Sequence, residues 1–204
     1  MHVKPFARLA ARADVSAGGG RVDDNHGAGT INPSASPEFS SQQITGAVSK
    51  LISASIGDVC VVFSRSAAHK HYTFADMEWM VLPAVVTGQA YVAEAQHTES
   101  GARAPVAAVL WARVSDETDQ RLTATLGQKI RLRPDEWASG DNFWIIDVAG
   151  DPRAVVAALK TLLGGPLKDH DVKVATVDAQ GAPRVEMLRD VAARVETPAG
   201  GPAS

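Results

Sequence analysis

Residues 141–165 read DNFWIIDVAGDPRAVVAALKTLLGG, and two hydrophobic periods meet inside this stretch. Phe143–Val148 is apolar except for Asp147, with the aromatic and β-branched content of a buried strand. Pro152 stands where a helix can begin, because a first turn leaves its N–H positions unused. Ala154–Leu163 carries that helix to Gly164-Gly165. On the C-terminal side, Val172–Val177 and Arg184–Leu188 form a hairpin pattern around Asp178-Ala-Gln-Gly-Ala-Pro183. On the N-terminal side, Ala90–Ala95 and Val106–Val114 read as strands joined by HTESGARAP, and Pro105 fits a strand edge. Ser115-Asp-Glu opens a helix with acids in its first turn, near the positive end of the helix dipole.

Two further elements are expected upstream. Ile44, Val48, Leu51 and Ile52 have helical spacing, Ile56-Gly57 ends that helix, and Asp58–Phe63 reads as a strand. Thr73 is the expected N-cap of a second helix bearing Phe74, Met77, Met80, Val81 and Val85, stopped by Gly88. The sum is a mixed α/β domain over residues 44–190. Its central hairpin argues against a purely parallel sheet. Residues 1–43, with the Gly-, Ser-, Asp- and Asn-rich run DVSAGGGRVDDNHGAGTINPSASPEFSSQQ, read as a flexible extension, and residues 191–204 as a flexible tail.

Composition excludes several classes. The chain has 204 residues and a net charge of −3, which argues against a dedicated nucleic-acid binder. Its single cysteine, Cys60, rules out a disulfide within the chain and any multi-cysteine metal site. No apolar run is read as approaching the roughly 20 residues of a membrane span. The start MHVKPFARLAARADVS lacks an apolar signal core, so a cytoplasmic protein is expected.

Asp147 is the first candidate for chemistry. A carboxylate in an apolar strand needs a partner, since a lone buried charge is costly; it either caps a turn or orients a histidine or substrate amine. Among the histidines, His69 and His71 lie at the junction of an apolar run and a helix, where loops carry function. They have His-x-His spacing but no third ligand of clear spacing, so no metal site is expected.

Several separated blocks resemble the RTX-toxin-activating lysine acyltransferases, the activators of hemolysins and cyclolysins. The family pattern is a short strand, Ser-x-x-His, then a helix containing Leu-Pro-Ala. Here the matching residues are Ser66-Ala67-Ala68-His69 and Leu82-Pro83-Ala84. Trp111-Ala112 matches an internal Trp-Ala strand. The most specific block, Trp-x-Ser-Gly-Asp-x-x-Trp-x-Ile-Asp, is matched by Trp137-Ala-Ser139-Gly140-Asp141-Asn-Phe-Trp144-Ile-Ile146-Asp147. The resemblance covers about residues 44–190. One departure is His71-Tyr72, where relatives often carry Trp-Pro.

The resemblance implies a GNAT-like fold, a mainly antiparallel mixed sheet flanked by helices. It implies transfer of a fatty acyl group from acyl carrier protein to the ε-amine of internal lysines of an RTX protoxin, with no bound cofactor. Carried over residue by residue, the essential histidine is His69, the motif aspartate Asp147 and the preceding serine Ser66. At pH 7 a free lysine lies about 3.4 units below its pKa, so a neutral amine costs about 4.6 kcal/mol to present. A histidine base held by an aspartate suits that task. Ser66 would position the thioester, donate to its oxyanion, or cap the turn; a covalent acyl-enzyme on His69 or Ser66 stays open. Gly140 either approaches substrate or makes a turn, and Trp137 and Trp144 either line an acyl channel or pack as core. Lys129, Arg131 and Arg133 alternate in QKIRLRP, a candidate docking stripe for an acidic carrier protein or a solvated face. The alternatives are a GNAT enzyme using acyl-coenzyme A, for which no Gly-rich helix-opening loop is found, and a non-catalytic protoxin escort. Dimerisation is left open.

Overall fold

The computed structural model describes residues 6–9, 41–128 and 131–196 of the chain. Its centre is the hairpin expected from sequence, β2 (Ala90–Gln96) and β3 (Arg103–Val114), paired antiparallel with a tight turn at Gly101. β4 (Asn142–Gly150) pairs antiparallel with β3, and β5 (Val172–Val177) lies parallel to β4 over Phe143–Ile145 only. β6 (Pro183–Met187) completes the second hairpin. A short strand, β1 (Phe6–Leu9), pairs with the outer edge of β2, so the sheet order is β1-β2-β3-β4-β5-β6. The fold is therefore mixed α+β with a mostly antiparallel sheet, as expected. Pro105 pairs opposite Glu94, before β3 meets β4 at Ala107, so its missing N–H costs no central ladder bond.

Helices cover both faces. α1 (Ser41–Arg65), the helical stretch α2 (Phe74–Asp76) to α3 (Leu82–Val86), and α4 (Asp116–Ala124) lie over the face bearing Ala108, Leu110, Ala112 and Trp144. α5 (Pro152–Gly164) covers Val109, Trp111, Phe143 and Ile145 on the other face. Ser115 caps α4 and Asp151 caps α5, accepting bonds from the first-turn N–H groups. α6 (Leu188–Glu196) then extends the folded body past the expected limit at residue 190. Arg194 on α6 and Arg184 bind the Glu186 carboxylate, whose pKa is held down to about 2 chiefly by the Arg194 hydrogen bonds. The tail from 197 onward, and residues 1–5 and 10–40 of the expected extension, lie outside the described residues.

The strand expected at 58–63 is helical. α1 runs unbroken for 25 residues, because Ile52, Ile56, Val59 and Phe63 continue one stripe at 3.6-residue spacing, joined by Val62. Val59, Val62 and Phe63 are buried against the sheet, and this burial outweighs the β propensity of the local Val-Cys-Val-Val run. Gly57 faces open space and does not end the helix. With the two segments fused, the 21-residue stretch Thr45–Arg65 contains an 18-residue window with a mean hydropathy of 1.5. That stretch meets the length and apolarity of a membrane span, contrary to the reading from sequence, although its C-terminal turns are part of the core.

Two irregularities place the side chains that matter. Between α2 and α3, Met77–Val81 forms a π-turn. Pro83 has no N–H to donate to the Trp79 carbonyl four residues back, and that carbonyl accepts the Trp137 indole N–H at 3.0 Å. The second irregularity is a bulge where β3 meets β4. Leu110 pairs with Asp147 but Trp111 pairs with Ile145, leaving Ile146 as the extra residue. Simple alternation from Trp144 would send Asp147 to the α5 face. The extra residue returns it to the α1 face, beside Leu110 and Ile146.

Gly150 closes β4 at φ 118°, and a Cβ there would lie 2.1 Å from the Val106 carbonyl oxygen. Gly181 has φ 82° with open space around it. Gly150→Ala is expected to cost more than about 2 kcal/mol, and Gly181→Ala about 1 kcal/mol. Urea denaturation midpoints check this; equal costs would contradict the close approach at β4.

Candidate active site

α1 ends at Arg65, and the chain turns tightly before α2. Ser66 N–H bonds back to Phe63, and both His69 and Lys70 donate to the Ser66 carbonyl. This turn folds Ser66 and His69 onto each other: Ser66 Oγ lies 2.7 Å from His69 Nδ1. On the far side of the ring, His69 Nε2 lies 2.9 Å from Asp147 Oδ1. An ionised carboxylate only accepts, so Nε2 carries the hydrogen. Nδ1 is then bare and accepts the Ser66 hydroxyl hydrogen. The three residues read from sequence as a set are thus brought together in one line, Ser66–His69–Asp147.

The imidazole is held by apolar neighbours as well. Its ring stacks on Phe63 with centroids 4.5 Å apart, and Tyr72 meets it edge-on at 5.1 Å. His69 is only 7% exposed. Asp147 accepts from three donors: the Val148 N–H at 2.8 Å, the His69 ring, and the Tyr72 hydroxyl. Burial, the charges of Asp147 and Asp76, and that hydrogen bond push the Tyr72 phenol above its ordinary value. Tyr72 is the functional neighbour that sequence reading missed. The available signal was its position three residues after His69, a spacing that closes a turn. The Tyr72 N–H does donate to the His69 carbonyl.

The helix after the site is anchored by Thr73, whose N–H and hydroxyl both donate to Asp76. Two hollows flank the Ser66–His69 pair. One of about 320 Å³ is lined by Cys60, Phe63, His69, Tyr72, Phe74 and Met77 among others. The other, of about 350 Å³, is lined by Val62, Arg65, Ser66, Val106, Gly150 and Asp151. Cys60 is partly buried, and burial pushes its thiol above the usual range, which keeps it protonated and a poor nucleophile.

The remaining candidates sit apart from this centre. Trp137 and Trp144 are fully buried, and their indole N–H groups go to the Trp79 carbonyl and to Asp119. Both serve as core. A Cβ at Gly140 would lie 2.5 Å from the Val114 carbonyl oxygen, so close packing against β3 accounts for that glycine without a ligand. Arg131 and Arg133 are exposed on either side of buried Leu132, in keeping with the expected alternation. Arg133 pairs with Asp135 and Glu136, whereas the Arg131 guanidinium lies over the Trp79 ring at 5.7 Å. Lys129 lies outside the described residues. His71 is exposed, and among the described residues no cluster of three metal-ligating side chains occurs.

A family model described as the RTX toxin acyltransferase family matches residues 49–188. No curated protein matches the chain. The matched span runs from α1 through β6 and contains Ser66, His69 and Asp147.

Asp147→Asn removes the charge that holds the Tyr72 proton. The variant's Tyr72 phenol is expected to ionise at lower pH than in the wild type, read by alkaline ultraviolet difference spectroscopy with Tyr72→Phe assigning the signal. An unchanged titration would separate Tyr72 from Asp147.

Proposed function

The chain belongs to the RTX toxin acyltransferase family, an acyltransferase with a protoxin substrate, and we propose that it moves a fatty acyl group from acyl carrier protein to lysine ε-amines of that protoxin. The observation that carries the reading is the hydrogen-bonded line Ser66–His69–Asp147 at the end of α1.

Each residue has a task set by that line. Asp147 fixes the imidazole tautomer and stabilises the imidazolium once it forms. His69 Nδ1 is the basic atom, shielded by Phe63 and Tyr72 so that bulk water competes poorly for it. Acyl transfer to an amine must shed one proton, and Nδ1 is where it goes. In the direct route the incoming amine takes the place of the Ser66 hydroxyl at Nδ1. Ser66 then donates to the oxyanion of the tetrahedral intermediate.

One feature favours a covalent route as a second reading: the group already hydrogen-bonded to Nδ1 is the Ser66 hydroxyl itself. Ser66 Oγ would attack the thioester carbonyl while its proton passes to Nδ1. The carrier thiolate would leave and take that proton. The lysine amine would then attack the serine ester and give its proton to His69, and Ser66 Oγ would leave and be reprotonated by the imidazolium. The balance closes with no further reactant. Both routes use neutral His69.

The donor is proposed on charge. Acyl carrier proteins are acidic, and Arg131 is an exposed cation beside Trp79, two residues along the π-turn from Met77, which lines the apolar hollow. An acyl-carrier donor also places the reaction in the cytoplasm.

With purified protein, acyl-carrier thioester and an RTX protoxin, His69→Ala is expected to abolish lysine acylation by intact-mass measurement while far-ultraviolet circular dichroism is unchanged. Asp147→Asn is expected to lower the rate about ten-thousand-fold, the scale set by other serine–histidine–aspartate sets. Full acylation by folded His69→Ala would end the mechanism. Transfer from acyl-coenzyme A alone would replace the donor. Ser66→Ala separates the routes: complete loss with no acylated enzyme supports the ester, and a residual rate supports direct attack.

A further inference from the structure

Resting on the acyl-transfer reading, we propose that the hollow between α1 and the π-turn seats the donor's fatty acyl chain, and that Cys60 and Met77 set the chain length accepted. Its lining changes character with distance from the chemistry. At one wall stand His69 and Tyr72; next comes Phe63, stacked on the imidazole. One turn earlier on α1 is Cys60, whose Sγ contacts Met77 Sδ at 3.6 Å. That contact joins α1 to the first residue of the π-turn. A chain running from a carbonyl at His69 along Phe63 meets this pair as a stop. A thiol and a thioether make a soft, apolar end wall that tolerates a methyl terminus.

The second hollow and the two buried tryptophans suit an alkyl chain less well. The second hollow sets Arg65 and Asp151 beside only Val62 and Val106 as apolar side chains, whereas the first, though it also has Ser64, Lys70 and Thr73 in its lining, offers Phe63, Phe74, Met77 and Cys60 to an alkyl chain. Trp137 and Trp144, the aromatic pair expected from sequence, are fully buried with their N–H groups used. Phe74, in contrast, lines the mouth of the first hollow and is 94% exposed. An unpacked phenyl ring at a mouth that leads to the reactive imidazole fits an alkyl partner arriving with the donor. The π-turn has a part in this geometry. Pro83 leaves the Trp79 carbonyl without its helical donor, and in the widened turn over Met77–Val81 Met77 lies against α1.

The test uses the full chain, an RTX protoxin and acyl-carrier thioesters stepped in saturated chain length, with products read by intact mass. Met77→Trp and Cys60→Phe fill the end of the hollow and are expected to move the optimum to shorter chains. They should lower use of the longest accepted chain about tenfold or more relative to the shortest, the scale of a pocket mismatch by a few methylenes. Met77→Ala is expected to move the optimum to longer chains, and Met77→Leu to keep the wild-type profile. A folded Met77→Trp protein whose rate falls equally for every chain length would overturn the proposal.

Binding supplies a second readout that does not need turnover. Cis-parinaric acid, a fluorescent polyene fatty acid, is expected to brighten on wild-type protein, to be displaced by saturated fatty acid, and to bind Met77→Trp about tenfold more weakly. If no donor supports transfer but the probe binds and Met77→Trp weakens it, the reaction assignment fails and the pocket stands. If transfer proceeds but neither the length profile nor probe binding responds to Met77→Trp, the pocket assignment fails alone.

Discussion

The hydrogen bond from His69 Nε2 to Asp147 joins two parts of the chain that are 78 positions apart. It ties the turn after α1 to the sheet. Asp147 is a carboxylate only 17% exposed, and such a group costs several kcal/mol if its donors are taken away. Three donors reach it: the ring of His69, the phenol of Tyr72 and the N–H of Val148. Two of these come from the short turn after α1. That turn can deliver them only if α1 is docked through Val59, Val62 and Phe63. The core and the proton path therefore depend on the same packing.

Regular elements hold the site and irregular ones aim it. The β2–β3 hairpin and α5 supply a rigid sheet and its backing. The aiming comes from one extra residue in β4, which turns Asp147 to the α1 face, and from the π-turn ahead of Pro83, which sets Met77 against Cys60. Bulges and π-turns are both costly departures from ladders that would otherwise close, and both gather where side chains must be redirected.

Much of this was legible in the residues. The strand–helix reading of 143–164 with Pro152 at the helix start, both hairpins, the helix opening at Ser115, and the set Ser66, His69 and Asp147 all follow from period, turn chemistry and the recognisable motif blocks. The failures have physical causes. Val-Cys-Val-Val at 59–62 has strand propensity, yet its stripe continues that of Ile52 and Ile56. Only the sheet beneath it decides that the helix wins, and splitting α1 also hid an apolar run long enough to span a membrane. The face of Asp147 could not be read from sequence, because one bulged residue reverses it and bulges leave no reliable composition signature. Trp137 and Trp144 look equally suited to a channel or a core until their N–H partners are known. Tyr72 was passed over because its role depends on Asp147, which is remote in sequence.

The most direct test of the account is the protonation state of one ring. Nitrogen-15 histidine labelling with long-range proton correlation, assigned by His69→Gln, reads which nitrogen of His69 carries hydrogen in the neutral protein. The account predicts hydrogen on Nε2 and a bare Nδ1, with this tautomer lost in Asp147→Asn. A neutral ring protonated at Nδ1, or one that exchanges freely between tautomers in the wild-type protein, would contradict it.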